Sequence, residues 1–108
     1  MPNQFEPLLK TLKLTFENNN LLMQAFTHRS YLNESNDKNL ISNERLEFLG
    51  DTILSLIISE HLYKTYPTYP EGLLTNLRST IVRTETLSSI SKNLNFGKFL
   101  LLSRGEEK

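Results

Sequence analysis

The sequence predicts an all-α domain, and three observations support this fold class. Leucine, a good helix former, occurs 21 times, whereas valine, a strand former, occurs once. Apolar residues recur at the three- and four-residue spacing of helices rather than in alternation. The four glycines and four prolines mostly fall between these periodic segments. Because 108 residues suit one domain, we expect residues 1–108 to form a single unit.

The first part of the chain is predicted to hold two short helices. Apolar residues at helical spacing over residues 5–12 predict the first, and Pro7 suits its first turn. The asparagines at positions 18–20 offer caps for a second helix, which we expect to end through residues 27–31. The polar residues 33–39 are predicted to form an exposed loop.

A long central helix is predicted from Ser42 or Asn43 to the break at Pro67. Six residues at helical spacing are expected to form its buried stripe: Leu46, Leu49, Ile53, Leu56, Ile57 and Leu62. Further apolar residues lie off this stripe, at Phe48, Leu54 and Ile58. A helix that is apolar on more than one side is usually central in its domain.

Two more helices are predicted after this break. One spans residues 71–82, with its inward residues at Leu73, Leu74, Leu77 and Ile81. The next is expected to start with Thr84 as its cap and to end with Gly97 just beyond its last turn. The apolar run at residues 99–102 needs cover, and its position near Lys108 leads us to expect a longer protein.

Composition excludes several classes of function. The absence of cysteine excludes disulfide scaffolds, thiolate zinc sites and cysteine catalysis. Twelve basic and twelve acidic residues give zero net charge, so no global electrostatic attraction to nucleic acid or membrane is expected. No apolar run is long enough to span a bilayer, and the first residues lack the pattern of a signal peptide. We therefore expect a cytoplasmic protein with no membrane partner.

The segment 43–51 carries the strongest chemical signal. On a helix, Glu44, Glu47 and Asp51 would emerge within about 60° of one another. Like charges at the spacing of Glu47 and Asp51 destabilise a helix by about 0.2–0.5 kcal/mol, and Gly50 costs up to about 1 kcal/mol more. A hard divalent cation would offset the repulsion, and close approach of another helix would explain Gly50. A solvated acidic face remains the alternative interpretation.

Residues 43–51 read Asn-Glu-Arg-Leu-Glu-Phe-Leu-Gly-Asp, and this segment resembles the signature of the ribonuclease III family. Four flanking segments also look like the family's sequence, in the same order along the chain: residues 25–31, 71–78, 96–97 and 104–108. The resemblance therefore covers nearly the whole chain.

The resemblance implies a metal-dependent endoribonuclease that cleaves double-stranded RNA to 5′-phosphate and 3′-hydroxyl ends during RNA processing. It implies that Glu47 and Asp51 are the catalytic, metal-binding carboxylates, with Mg²⁺ as the cofactor and Mn²⁺ as a substitute. Glu44 and Glu71 match supporting acidic positions near the cleavage site. Phe48 matches a residue that enters a pocket on a partner subunit, and Gly50 is assigned to the same interface, which implies a homodimer. No small-molecule cofactor is expected.

The chain also departs from the family pattern. A second Asp and Glu pair would follow Lys108, so the sequence matches an endonuclease domain that stops before its last helices. No double-stranded-RNA-binding domain lies within residues 1–108. We therefore expect the chain to be inactive alone, and a non-catalytic dimerisation or RNA-binding module of the same fold is the alternative. His28 is predicted to be a packed residue rather than a general base.

Overall fold

The computed structural model describes residues 4–104, and this part of the chain is helical. Its helices are α1 (Glu6–Leu12), α2 (Asn19–Ala25), α3 (Arg29–Leu32), α4 (Glu44–Thr65), α5 (Glu71–Val82), α6 (Thr84–Asn93) and α7 (Phe96–Phe99). Within residues 4–104 the sole β-type pairing is an isolated parallel bridge between Thr27 and Leu101. The predicted all-α class is confirmed.

Helices α4 and α5 follow the sequence prediction closely. Helix α4 begins directly after Asn43 and ends two residues before Pro67. Helix α5 begins directly after Pro70, whose extended backbone suits the residue that precedes a helix. Between the two helices, the rings of Tyr66 and Tyr69 stack with their centroids 4.6 Å apart. The proline-rich segment therefore forms an ordered turn.

The prediction that residues 27–31 end the second helix is wrong. Helix α2 ends at Ala25, and the next residues form a corner before α3 begins at Arg29. His28 Nδ1 accepts the backbone N–H of Ser30 at 3.1 Å, which caps α3. His28 is half-buried and fills a structural role, as predicted.

The prediction that Gly97 lies just beyond the end of the helix that starts near Thr84 is wrong. Helix α6 ends at Asn93, and the left-handed residue beyond it is Asn95, with φ of 58°. Asparagine tolerates this conformation better than most residues do, so glycine is not required. Gly97 lies inside α7 instead. Thr84 is the first residue of α6 rather than its cap, since Arg83 precedes the helix with extended backbone.

The stripe predicted to be buried on α4 is confirmed at Leu62, is half-buried at Leu46 and is wrong at its other four residues. Leu62 is buried and Leu54 and Ile58 are half-buried, whereas most of the expected stripe is exposed. The exposed fractions in that stripe are Leu49 53%, Ile53 47%, Leu56 66% and Ile57 59%. Because both sides of α4 are apolar, periodicity alone cannot select the buried one. Packing of α5 decides it, and Arg78 Nη1 on α5 donates to Ser59 Oγ at 2.8 Å.

An aromatic cluster joins residues near the start of the described chain to residues near its end. The ring centroid of Phe26 lies 5.3 Å from that of Phe5, 5.7 Å from Phe96 and 6.4 Å from Phe99. Phe5, Leu8 and Leu22 are buried there. Residues 99–102 are half-buried, so the apolar run finds its cover in the N-terminal helices of the same chain.

The described chain is elongated. Its radius of gyration is 16.7 Å, and its extents are 54 × 28 × 24 Å. A compact domain of this length has a radius of gyration of about 13 Å. No helix within residues 4–104 combines the length and apolar character needed to cross a membrane.

We expect Phe26→Ala to lower the free energy of unfolding by about 3 kcal/mol, because Phe26 is the shared neighbour in the aromatic cluster. Urea denaturation followed by circular dichroism measures this change. The matched control is Phe16→Ala, since Phe16 is 40% exposed, and its effect should stay below about 1 kcal/mol. Equal losses in the two variants would contradict the central role of this cluster.

Candidate active site

Three carboxylates lie on the first two turns of α4. Glu44 and Glu47 belong to the first turn, and Asp51 follows Glu47 by four residues. At 100° per residue the three side chains leave the helix within about 60° of one another, as the sequence predicted. All three residues are exposed to solvent. Helix α4 therefore presents a continuous acidic face.

Glu47 and Asp51 are unpaired in the described part of the chain. Among residues 4–104, neither side chain makes a hydrogen bond or an ion pair. Glu44 differs, since the hydroxyl of Ser42 donates to Glu44 Oε1 at 3.0 Å. The repulsion expected between Glu47 and Asp51 is therefore not relieved by a basic neighbour in this range.

The N-terminus of α4 is attached to the corner that follows α2. The backbone N–H of Asn43 donates to the carbonyl oxygen of Thr27 at 2.9 Å. Asn43 Nδ2 donates to the carbonyl oxygen of Ala25 at 3.2 Å, and Gln24 Nε2 donates to that of Ser42 at 3.2 Å. The sequence analysis missed Gln24, because a bond to a residue 18 positions away leaves no local signal.

The predicted capping of α4 is divided between two residues. Asn43 stands in the cap position but makes no side-chain bond to the helix. Ser42 Oγ accepts the backbone N–H of Glu44 at 3.4 Å instead. The same hydroxyl donates to the carboxylate of Glu44, so Ser42 both caps the helix and orients its first acid.

Glu71 lies on α5 rather than on the helix that carries the other three acids. It is the first residue of α5 and lines a groove of about 420 Å³ between α4 and α5, together with Glu60 and Tyr63. Neither Glu47 nor Asp51 lines this groove. The supporting role of Glu71 stays a prediction.

The donor set of the acidic face suits a hard cation only in part. Across residues 4–104, no group of three or more His, Cys, Asp or Glu is placed to hold a metal ion. Glu47 and Asp51 provide two free carboxylates one helical turn apart. Mg²⁺ accepts this kind of site, because it retains several waters and takes one or two protein carboxylates.

An apolar surface adjoins the acidic face. Phe48 is 80% exposed and lines a groove of about 740 Å³ with Leu49 and Ile41. A Cβ atom added to Gly50 would meet nothing within 4 Å. The described chain therefore does not supply the close helix approach that Gly50 was predicted to permit.

Several basic side chains already have partners. Lys64 pairs with Glu60 at 3.4 Å, and Arg83 lies 3.9 Å from Glu85. These pairs are exposed and contribute little to stability. Within residues 4–104, Lys92 and Lys98 are exposed and form no ion pair, which leaves them available for phosphate contacts.

Comparison with known proteins identifies the family. The sequence model described as Ribonuclease-III-like matches residues 18–108. Over 103 residues, 95% of this chain, the sequence is 50% identical to Ribonuclease 3 of Halalkalibacterium halodurans. It is 51% identical to Ribonuclease 3 of Streptococcus sanguinis over all 108 residues. The chain therefore belongs to the ribonuclease III family.

Solved structures agree with this assignment. The nuclease domain of ribonuclease III from Campylobacter jejuni matches 96% of this chain with a TM-score of 0.85 and 38% identity. That structure is described as flexible in a region involved in dimer formation. A second structure of the same nuclease domain matches with a TM-score of 0.83. The chain covers 68% and 67% of these two structures, and 39% and 47% of the two relatives named above.

We expect Asp51→Asn to raise the free energy of unfolding by about 0.2–0.5 kcal/mol in low salt without divalent cations, because it removes repulsion from Glu47. Urea denaturation measures the gain, which should shrink as salt is added. Glu17→Gln removes an exposed charge outside this face and should have no such effect. A loss of stability in Asp51→Asn would show that its carboxylate has a stabilising partner.

Proposed function

We propose that this chain is the nuclease-domain part of a metal-dependent endoribonuclease that cleaves double-stranded RNA to 5′-phosphate and 3′-hydroxyl ends. The observation that carries the proposal is the pair of exposed, unpaired carboxylates of Glu47 and Asp51 on the helix that bears the family's signature. Family membership provides the class of reaction. The charge arrangement supports the assignment of these two residues as the catalytic, metal-binding pair.

The proposed cofactor is Mg²⁺, with Mn²⁺ as a substitute. Glu47 and Asp51 would hold it, and Glu44 would support them from the first turn of the same helix. A cation at this position would supply Lewis-acid activation of water and of the scissile phosphate. Within residues 4–104 no basic side chain pairs with Glu47 or Asp51, so both carboxylates would be available to fix the position of the cation.

The proposed substrate is an A-form duplex, which proteins recognise mainly by shape and by 2′-hydroxyl and phosphate contacts. Zero net charge argues against strong nonspecific attraction to RNA. The exposed bases Lys92 and Lys98 can contribute a few phosphate contacts. Binding of RNA by this chain alone should therefore be weak and sensitive to salt.

We further propose a homodimer formed through Phe48 and Gly50. A two-fold interface requires a self-complementary surface, so a projection and its receiving groove must lie on the same face of each subunit. The projecting ring of Phe48 and the apolar groove beside it meet this requirement. Gly50 then permits close approach of the partner subunit, since nothing in the described chain occupies the space beside it.

A second candidate function is a non-catalytic dimerisation or RNA-binding module of the same fold. One observation favours it: residues 4–104 do not group three metal-binding side chains. A nuclease site would need further ligands beyond Glu47 and Asp51. Measurement of RNA cleavage, with and without those further ligands, separates the two candidates.

We expect the 108-residue chain to cleave double-stranded RNA negligibly. A chimaera in which this chain is extended by the part of the Campylobacter jejuni nuclease domain that it does not match should cleave double-stranded RNA when Mg²⁺ is present. Asp51→Asn in the chimaera should slow cleavage by at least about a hundredfold, because even small misplacement of reacting groups costs that much. Gel analysis of a labelled duplex measures the rates.

Glu17→Gln in the same chimaera is the control and should retain full cleavage. Undiminished cleavage by the Asp51→Asn chimaera would remove Asp51 from the catalytic pair. Absence of cleavage by the unaltered chimaera, together with retained RNA binding, would favour the non-catalytic module.

Phe48→Ala should weaken the proposed dimer. Burial of one phenylalanine contributes about 1.5–3 kcal/mol per subunit, so the dissociation constant should rise at least about a hundredfold. Sedimentation velocity over a range of concentrations measures this change. Tyr63→Ala is a matched control on the same helix, since Tyr63 is 72% exposed but lies outside the Phe48 groove. An unchanged dimer in Phe48→Ala, or monomers in all three proteins, would refute the interface.

A further inference from the structure

The first two turns of α4 carry the acidic face, and Leu46 is the one large apolar side chain there that is half-buried. Phe48 is 80% exposed, Leu49 is 53% exposed and nothing lies within 4 Å of a Cβ placed on Gly50. The side-chain bond between α4 and α5 joins Ser59 to Arg78, more than two turns beyond Asp51. Within a single chain, the bonds that fix the position of the acidic turns therefore lie mainly at the N-terminus of α4, and the proposed partner subunit would add its own contacts.

Two side-chain amides attach this N-terminus to the end of α2. Asn43 Nδ2 donates to the carbonyl oxygen of Ala25, and Gln24 Nε2 donates to that of Ser42. The two bonds run in opposite directions between the same two segments. A third bond, from the backbone N–H of Asn43 to the carbonyl oxygen of Thr27, lies beside them. We call these three bonds the corner clamp.

The side chain of Asn43 serves this clamp rather than its helix. Asparagine is favoured at the cap position because its side chain usually accepts an N–H from the first turn. Here the side chain makes no such bond, and Ser42 Oγ accepts the N–H of Glu44 instead. The bond from Asn43 to Ala25 is therefore separate from capping.

The other end of the clamp adjoins a buried, hydrogen-bonded corner. Thr27 is fully buried, with 0% exposure, and its hydroxyl donates to the carbonyl oxygen of Met23 at 2.6 Å. Leu101 pairs with the backbone of the same corner. Its N–H donates to the carbonyl oxygen of Phe26 at 2.7 Å, and its carbonyl oxygen accepts the backbone N–H of His28 at 2.9 Å. The clamp thus joins the largely exposed acidic turns to this corner.

We propose that Asn43 and Gln24 are positioning residues, which set where Glu44, Glu47 and Asp51 lie relative to the rest of the domain. This inference rests on the proposed function. It does not concern the spacing of Glu47 and Asp51, which their shared helix fixes. It concerns their placement against ligands and RNA held by other elements, where an error of about 1 Å can slow a reaction a hundredfold.

Two variants test the clamp without altering the acids. Asn43→Asp removes the Nδ2 donor but keeps a residue that caps helices as well as asparagine does. Gln24→Met removes the other donor at nearly constant length and without a change of charge. Asn36→Asp is the control for the added charge, because Asn36 lies in the exposed loop away from the clamp.

Amide hydrogen exchange in the 108-residue chain provides the first measurement. Loss of one hydrogen bond should speed exchange at the amides of Asn43 and Glu47 about fivefold in either variant. The amide of Tyr66, which bonds to Leu62 at the other end of α4, should keep its rate. Equal acceleration at both ends would indicate general destabilisation and would overturn the proposal.

Spin labels provide the second measurement, since the chain has no cysteine. One pair of labels, on Asn20→Cys in α2 and Thr52→Cys in α4, reports the distance between the two helices, and both sites are exposed. The distance distribution between them should broaden in Asn43→Asp and Gln24→Met. A pair within α4, Thr52→Cys and His61→Cys, should not change. An unchanged distribution between α2 and α4 would overturn the proposal.

Kinetics of the chimaera described above provide the third measurement. Gln24 also lines the Phe48 groove, so kcat is compared at concentrations where sedimentation shows both proteins fully dimeric. Under those conditions Gln24→Met should lower kcat about fivefold or more at unchanged KM for RNA, because it displaces the acids without removing an RNA contact. An unchanged kcat would overturn the positioning role. If the unaltered chimaera cleaves no RNA, the proposed function fails, whereas exchange and spin-label data still decide whether the clamp holds the acidic turns.

Discussion

The buried backbone of Thr27 is the constraint on which the rest of this fold depends. Its carbonyl oxygen accepts the N–H of Asn43, and the same residue forms the parallel bridge to Leu101. Three segments that are remote in sequence therefore meet at one residue. A buried carbonyl without a partner would be costly, so each segment stabilises the position of the others. The aromatic cluster around Phe26 packs directly beside this meeting point.

The sequence was informative where local chemistry decides structure and uninformative where distant partners do. Prolines and polar caps defined α4 and α5 almost to the residue. The corner after α2 was missed because its conformation depends on Leu101, which no local pattern connects to Thr27. The buried face of α4 was misjudged for a related reason: Leu56 and Leu62 look alike in sequence, and only the packing of α5 distinguishes them.

In the candidate site, too, the sequence predicted the features that local geometry decides and missed those that tertiary packing decides. The common face of Glu47 and Asp51 follows from helix geometry alone, so four residues of spacing were enough to predict it. The location of Glu71 depends on the turn between α4 and α5, where Tyr66 and Tyr69 stack, and spacing could not supply it. The bond from Gln24 to Ser42 joins two elements and was equally invisible. Sequence thus identified the chemical groups, and tertiary packing determined their surroundings.

The segment that follows α7, residues 100–103, crosses the corner after α2, and this strap affects the order of folding. Ser30 and Ser103 are 73 positions apart, yet the hydroxyl of Ser30 accepts the N–H of Ser103 at 3.0 Å. Closing so long a loop carries an entropic cost that local helix pairing does not, so α4 and α5 can associate first. During synthesis the acidic helix would form and pair with its neighbour before Leu101 has left the ribosome. The bonds between residues 24–27 and residues 42–43 can form before that point, and the bridge from Thr27 to Leu101 closes last.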